Sequence, residues 1–138
     1  MEQFAAYSHA IVSVAVFVIL TLLLGPVSAV RKAGAGVTAG GTPAEDYGSP
    51  VYRLHRAYMN ATESVGPFAA AVAMAILAGS NPFWINMLAS VFLVARILVL
   101  IVHVAGVGAM NQGLRSIIFG IGLFCTVIIA LMAIVAAF

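Results

Sequence analysis

The chain of 138 residues is 64% hydrophobic and only 7% charged, and six basic against four acidic side chains give a net charge of +2. An ordinary soluble domain is about 25% charged, so this composition excludes a water-soluble globule. The basic residues are too few and too dispersed for a nucleic-acid-binding surface, and no nucleic-acid partner is expected. The length fits one domain of about four membrane-spanning helices, each of which needs roughly 20 apolar residues.

Long uncharged runs predict four spans in chain order. Residues 10–30 carry no charge and predict a first helix over about 5–30, followed by a glycine-rich loop over 31–50. Residues 64–95 are also uncharged but too long for one span, and the turn Gly79-Ser80-Asn81-Pro82 divides them, since Asn can cap a helix and Pro can open one. With a further break at Asn111-Gln112, the remaining spans are predicted over 51–79, 82–107 and 114–138.

These spans predict a single all-α domain over residues 1–138, an integral membrane four-helix bundle. The basic side chains cluster in and beside the loop after the first span and just before the fourth span: Arg31, Lys32, Arg53, Arg56 and Arg115. Loops on the cytoplasmic side carry an excess of Lys and Arg. We therefore expect loop 31–50 to be cytoplasmic and both termini to lie on the opposite side of the membrane.

Polar residues inside the second span form a regular stripe. Arg53, Arg56, Asn60 and Glu63 follow at intervals of three, four and three, which places them on one face of a helix. Inserting an ionisable side chain at the membrane centre costs about 2.5–3.5 kcal/mol of free energy, so each such residue needs a partner or a functional role. Guanidinium groups bind carboxylates, a carboxylate can accept an ammonium, and an amide can both donate and accept. The stripe therefore suits a small ligand with charges of both signs.

Two residues of the third span are predicted to lie near this stripe. Counting 1.5 Å per residue from the turn at residues 79–82 puts Glu63 and Arg96 at nearly the same depth, which predicts an ion pair between them. His103 lies nearer the cytoplasmic side and is predicted to face the same cleft. No second His or Cys stands at ligand spacing from it, so no metal site is expected.

The segment from Arg53 to Phe68, RLHRAYMNATESVGPF, resembles the second-helix pattern of the membrane-associated proteins in eicosanoid and glutathione metabolism (MAPEG). Its Arg, Asn and Glu residues have the same intervals, and a proline follows shortly after them. Ala95-Arg96 and Leu114-Arg115-Ser116 extend the resemblance to the third and fourth spans. The resemblance implies a left-handed four-helix bundle assembled as a homotrimer, with glutathione bound between neighbouring subunits in a site open to the cytoplasm.

The resemblance also implies a role for each matching residue. The implied glutathione-binding residues are Arg31, Arg53, Arg56, Asn60, Glu63 and Arg96. Arg115 resembles the thiol-activating arginine of the microsomal glutathione transferases. In that role its guanidinium would favour the thiolate, which is the reactive form of the thiol. His103 is a second catalytic candidate, for orienting the thiol or a water. The expected function is a glutathione-dependent transferase or peroxidase, with no metal, acting on a hydrophobic small molecule or lipid that arrives through the bilayer.

The chain also departs from the family pattern. Family transferases carry tyrosines in the third span where this chain has Val99 and His103, and an arginine that the leukotriene synthases use is replaced near Met110. A non-catalytic protein that binds a lipid or a thiol is therefore the alternative, and the thiol could be glutathione or a similar molecule. A third alternative is a small drug exporter, which would also have four helices. Such exporters carry a glutamate in the first span, whereas residues 3–30 of this chain contain no acidic residue, so this alternative is disfavoured.

Overall fold

The computed structural model describes residues 2–107 and 113–138. Its helices are α1 (Glu2–Ala5), α2 (Ser8–Gly34), α3 (Pro50–Leu77), α4 (Pro82–Ala105) and α5 (Gly113–Ala137). In this described part of the chain, α2 to α5 are each long and apolar enough to cross a membrane. The prediction of an all-α membrane four-helix bundle is confirmed, and the protein is an integral, multi-pass membrane protein. The predicted break at Asn111-Gln112 and the position of Met110 lie outside the described residues.

The first long helix extends further than the sequence indicates. Pro26 lies inside α2, and the helix continues through Arg31 and Lys32 to Gly34. Cations in the last turn of a helix are favoured by the helix dipole, which supports this extension. The loop predicted over 31–50 therefore covers residues 35–49, and the Nζ atom of Lys32 donates a 3.0 Å hydrogen bond to the carbonyl of Gly41 within it.

The turn between α3 and α4 contains the capping residues that its sequence suggests. Gly79 adopts a left-handed φ of 72°, a conformation that is costly for residues with a Cβ atom. The Oδ1 atom of Asn81 accepts a hydrogen bond of 3.0 Å from the backbone N–H of Phe83, and Pro82 occupies the first helical position. The two helices therefore form an antiparallel hairpin.

Three phenylalanine rings form the centre of the bundle and join α2, α3 and α4. Phe68 and Phe92 are stacked with ring centroids 3.6 Å apart, and Phe17 meets the Phe92 ring edge-on at 5.1 Å. All three side chains are fully buried. From α5, Cys125 and Ile129 pack against the same core. This apolar centre separates the two ends of the bundle.

At the end of the bundle away from loop 35–49, Asn86 joins α4 to the break between α1 and α2. Its Nδ2 atom donates to the carbonyl of Ala6 at 2.7 Å, and its Oδ1 atom accepts from the backbone N–H of Ala10 at 2.9 Å. The hydroxyl of Tyr7 donates to the carbonyl of Ser80 nearby. These bonds satisfy backbone groups at helix ends, which have no partner within a helix.

We expect Asn86→Leu to lower the free energy of unfolding in detergent micelles by about 1–3 kcal/mol, because it leaves two backbone groups without partners. Ser90→Ala is the matched control, since the hydroxyl of Ser90 donates only to the carbonyl of Asn86 within the same helix, at 2.8 Å. Thermal unfolding followed by circular dichroism measures both. Equal stability of the two variants would contradict the assigned role of Asn86.

Candidate functional site

A polar pocket with a volume of about 350 Å³ lies between α3, α4 and α5, near the ends of these helices that adjoin loop 35–49. Its size is typical of small-molecule sites. It contains five of the residues singled out in the sequence together with three others. The lining residues are Tyr47, Arg56, Asn60, Glu63, His103, Arg115, Ser116 and Phe119.

One face of α3 supplies three of these side chains. Arg56, Asn60 and Glu63 are separated by four and three residues, so consecutive turns of the helix bring them to the same pocket. Arg56 and Glu63 are exposed, and within residues 2–107 and 113–138 neither forms an ion pair or a side-chain hydrogen bond. Both charges are therefore available to a ligand.

The opposite wall comes from α4 and α5. His103 is buried, and its Nδ1 atom lies 3.1 Å from the carbonyl of Val99, so Nε2 is the ring nitrogen available to the pocket. Arg115, in the first turn of α5, is only 6% exposed. The Cζ atom of Arg115 lies 4.3 Å from the centroid of the Tyr47 ring. This contact has the geometry of a cation–π interaction.

The charges of the pocket favour an anionic ligand that also carries a positive group. Arg56 and Arg115 contribute two cations, whereas Glu63 is the single carboxylate among the lining residues. Guanidinium groups bind carboxylates and thiolates through charge-assisted hydrogen bonds, and a carboxylate does the same for an ammonium. The amide of Asn60 lies between the two ends of the stripe.

Arg96 does not pair with Glu63, so that prediction is wrong. Arg96 is only 6% exposed, and its guanidinium lies between two rings, with Cζ 5.0 Å from the centroid of Phe92 and 4.4 Å from that of Phe119. Its Nε and Nη1 atoms have no hydrogen-bond partner. Two residues at the same depth in the membrane can still point in different directions around their helix axes. Glu63 faces the pocket, whereas Arg96 lies behind Phe119.

Two other predicted binding residues also lie outside the pocket. The Nη1 atom of Arg53 donates to the carbonyls of Tyr47 and Gly48 at 2.8 and 2.9 Å. Arg31 is exposed and borders a separate cleft of about 150 Å³ at the ends of α2, α3 and α4. In this chain the pocket thus contains Arg56, Asn60 and Glu63 but not Arg31, Arg53 or Arg96.

Comparison with known families identifies this architecture. The model of the MAPEG family matches residues 9–135, which is nearly the whole chain. The protein belongs to the MAPEG family. No curated protein matches the chain. Three of the four residues in the α3 stripe that resembled the family pattern, Arg56, Asn60 and Glu63, line the polar pocket of this MAPEG protein.

Three pocket residues of this MAPEG protein were not identified from its sequence. Phe119 follows Arg115 by four residues on α5, so helical periodicity could have placed both on one face. Ser116 is adjacent to Arg115. Tyr47 lies in a loop, where no periodic pattern indicates which side chains point inwards.

The close approach of α5 to Arg96 gives a direct test of its position. A Cβ atom on Gly122 would lie 2.9 Å from the Nε atom of Arg96, whereas one on Gly120 would meet nothing within 4 Å. We expect Gly122→Ala to lower the free energy of unfolding by about 1–3 kcal/mol through overpacking. Gly120→Ala should be neutral or stabilising by up to about 1 kcal/mol, because alanine favours the helix.

Thermal unfolding of both glycine variants in the same detergent provides the comparison. Equal melting temperatures for the two would show that Arg96 does not pack against α5 as described.

Proposed function

We propose that this MAPEG protein is a glutathione-dependent transferase or peroxidase of the membrane that acts on hydrophobic electrophiles. The observation that carries the proposal is the convergence of Arg56, Asn60, Glu63 and Arg115 in one polar pocket of a mostly apolar bundle. Family membership supports this general function, and the charges of the pocket support the tripeptide as its ligand.

The groups of glutathione match those of the pocket. Glutathione carries two carboxylates, one ammonium and one thiol. Arg56 would bind a carboxylate, Glu63 would accept the ammonium, and Asn60 would pair with a peptide group. Arg56 and Glu63 are seven residues apart on α3, which is about 10 Å along the helix axis, so they would contact different parts of an extended tripeptide.

Arg115 would stabilise the thiolate of bound glutathione, because a nearby guanidinium favours the charged form. In a transferase reaction the thiolate sulfur forms a bond with an electrophilic carbon, and the leaving group departs with its electron pair. In a peroxidase reaction the sulfur takes the terminal oxygen of a hydroperoxide, giving an alcohol and a sulfenic acid, which a second glutathione converts to disulfide and water. His103 would orient the thiol or a water molecule through Nε2. Neither reaction requires a metal.

The proposal includes a homotrimer with the site between neighbouring subunits. Arg31 supports this arrangement, because it is exposed and lies away from the pocket of its own subunit. It would bind glutathione held by a neighbouring subunit. Loop 35–49 would face the cytoplasm and both termini the opposite side, as the basic residues indicate. The mass of the protein in a detergent particle tests the assembly, and a monomer would contradict it.

Arg115→Ala should remove the thiolate absorbance that we expect when glutathione is added to the wild-type protein. An opposite charge lowers the pKa of a thiol by about 1–3 units, so its loss should reduce the thiolate fraction near neutral pH by about tenfold or more. Arg115→Lys retains the charge and should retain part of the signal. Unchanged ultraviolet absorbance in Arg115→Ala would exclude the role assigned to Arg115.

Glu63→Gln should weaken glutathione binding by about 10- to 100-fold, because it removes a hydrogen bond between charged groups worth about 1.5–3 kcal/mol. Glu45→Gln is the matched control, since Glu45 is exposed in the loop and does not line the pocket. Isothermal titration calorimetry in micelles measures both affinities. An equal loss in the two variants would indicate a general charge effect and not an ammonium site.

A non-catalytic protein that binds a thiol or lipid is the second candidate. It is favoured by Val99 and His103, which occupy α4 where the resemblance leads one to expect tyrosines; Val99 is buried and does not line the pocket. This candidate requires stabilisation by glutathione or lipid without turnover. Conjugation of any hydrophobic electrophile above its uncatalysed rate would exclude it.

A further inference from the structure

Tyr47 connects loop 35–49 with the wall of the polar pocket. Its half-buried side chain lines the pocket, and the centroid of its ring lies 4.3 Å from the Cζ atom of Arg115. The two residues are far apart in the sequence and belong to a loop and to α5. The contact therefore couples the conformation of the loop to the guanidinium to which we assign thiol activation.

The backbone of the loop is fixed at this point. The Nη1 atom of Arg53 donates to the carbonyls of Tyr47 and Gly48. The Oδ1 atom of Asp46 accepts a 2.8 Å hydrogen bond from the backbone N–H of Gly48, which forms a turn around Tyr47. The ring of Tyr52 also meets the Tyr47 ring edge-on, with centroids 5.1 Å apart. Both the backbone and the ring of Tyr47 are thus held by the start of α3.

The guanidinium of Arg53 lies against the end of α4. Gly106 caps this helix with a left-handed φ of 71°, and a Cβ atom there would lie 3.0 Å from both the Cζ and Nε atoms of Arg53. A larger residue would be strained at this φ and would also displace the guanidinium. A series of direct contacts therefore runs from Gly106 through Arg53 and Tyr47 to Arg115.

We propose that Tyr47 is a positioning residue for Arg115, and that Arg53 acts on the site through Tyr47 and not by binding the ligand. The inference rests on the proposed function in so far as Arg115 activates a thiol. A ring stacked on a guanidinium occupies one of its faces and restricts the rotation of a flexible side chain. Tyr47 therefore holds the guanidinium of Arg115 at the wall of the pocket.

The first experiment measures the exposure of Arg115 in the full chain in detergent micelles without ligand. Reaction of Arg115 with phenylglyoxal is followed by peptide mass spectrometry in the wild type, Tyr47→Leu and Tyr47→Phe. We expect the leucine variant to react several-fold faster and the phenylalanine variant to match the wild type, because phenylalanine retains the ring. Equal rates in the wild type and the leucine variant would overturn the proposal, whether or not glutathione binds.

Tyr58→Leu is the control for loss of a tyrosine ring, since Tyr58 packs against Gly25 at the α2–α3 interface and does not line the pocket. It should leave the reaction rate of Arg115 unchanged. An increase equal to that of Tyr47→Leu would show that general loosening of the bundle explains the effect, and would also overturn the proposal.

The second experiment uses glutathione. In Tyr47→Leu the thiolate absorbance should appear at higher pH than in the wild type, and the conjugation rate near neutral pH should fall by about 5- to 30-fold, the range expected for loss of one cation–π contact. Tyr47→Phe should retain both properties. If the wild type forms no thiolate, the proposed function fails, and the phenylglyoxal rates still decide the role of Tyr47.

A double-mutant cycle tests the role of Arg53. Arg53→Met should accelerate the modification of Arg115 in the wild-type background and add little in the Tyr47→Leu background, because both changes break the same series of contacts. It should also leave the glutathione affinity of Tyr47→Leu unchanged. A further loss of affinity in the double variant would mean that Arg53 binds the ligand directly, which would overturn this part of the proposal.

Discussion

The bilayer requires every ionisable side chain in a span to be either hydrated or held by protein groups, and this requirement organises the structure. The protein meets it in two ways. Arg56 and Glu63 face a polar pocket at one end of the bundle. Arg96 lies between two aromatic rings, where the absence of a side chain on Gly122 leaves space for its guanidinium. Arg56 and Glu63 therefore remain accessible to a ligand, whereas the Arg96 guanidinium is buried in aromatic packing.

The parts of the site that follow from helical periodicity were predictable. Arg56, Asn60 and Glu63 lie on one face of α3 because their spacing permits no other arrangement in a regular helix. Depth was a weaker guide, as the absence of a Glu63–Arg96 pair shows. Distance along the membrane normal is fixed by residue counting, but the direction of a side chain depends on how each helix is rotated against its neighbours, and that is decided by packing across the whole bundle.

The loop contribution could not be predicted for a different reason. The sequence around Tyr47 has no repeat, and its conformation depends on Arg53 and Asp46, whose partners are backbone groups rather than matching side chains. Arg53 belongs to the same α3 stripe as the pocket residues. Its guanidinium nevertheless donates to carbonyls of the loop and does not line the pocket. Periodicity thus predicts which face of a helix a residue occupies, but not which partner it finds there.

The seam between α3 and α5 shows how the polar pocket relates to the rest of the membrane domain. Both helices start beside loop 35–49, and between them the polar pocket gives way to an apolar groove of about 680 Å³ that begins at Pro67, one turn beyond Glu63, and reaches Phe138. In the proposed reaction, a water-soluble thiol must meet an electrophile dissolved in the membrane, although the two occupy different solvents. A seam that is charged at one end and apolar at the other offers each of the two reactants a compatible surface.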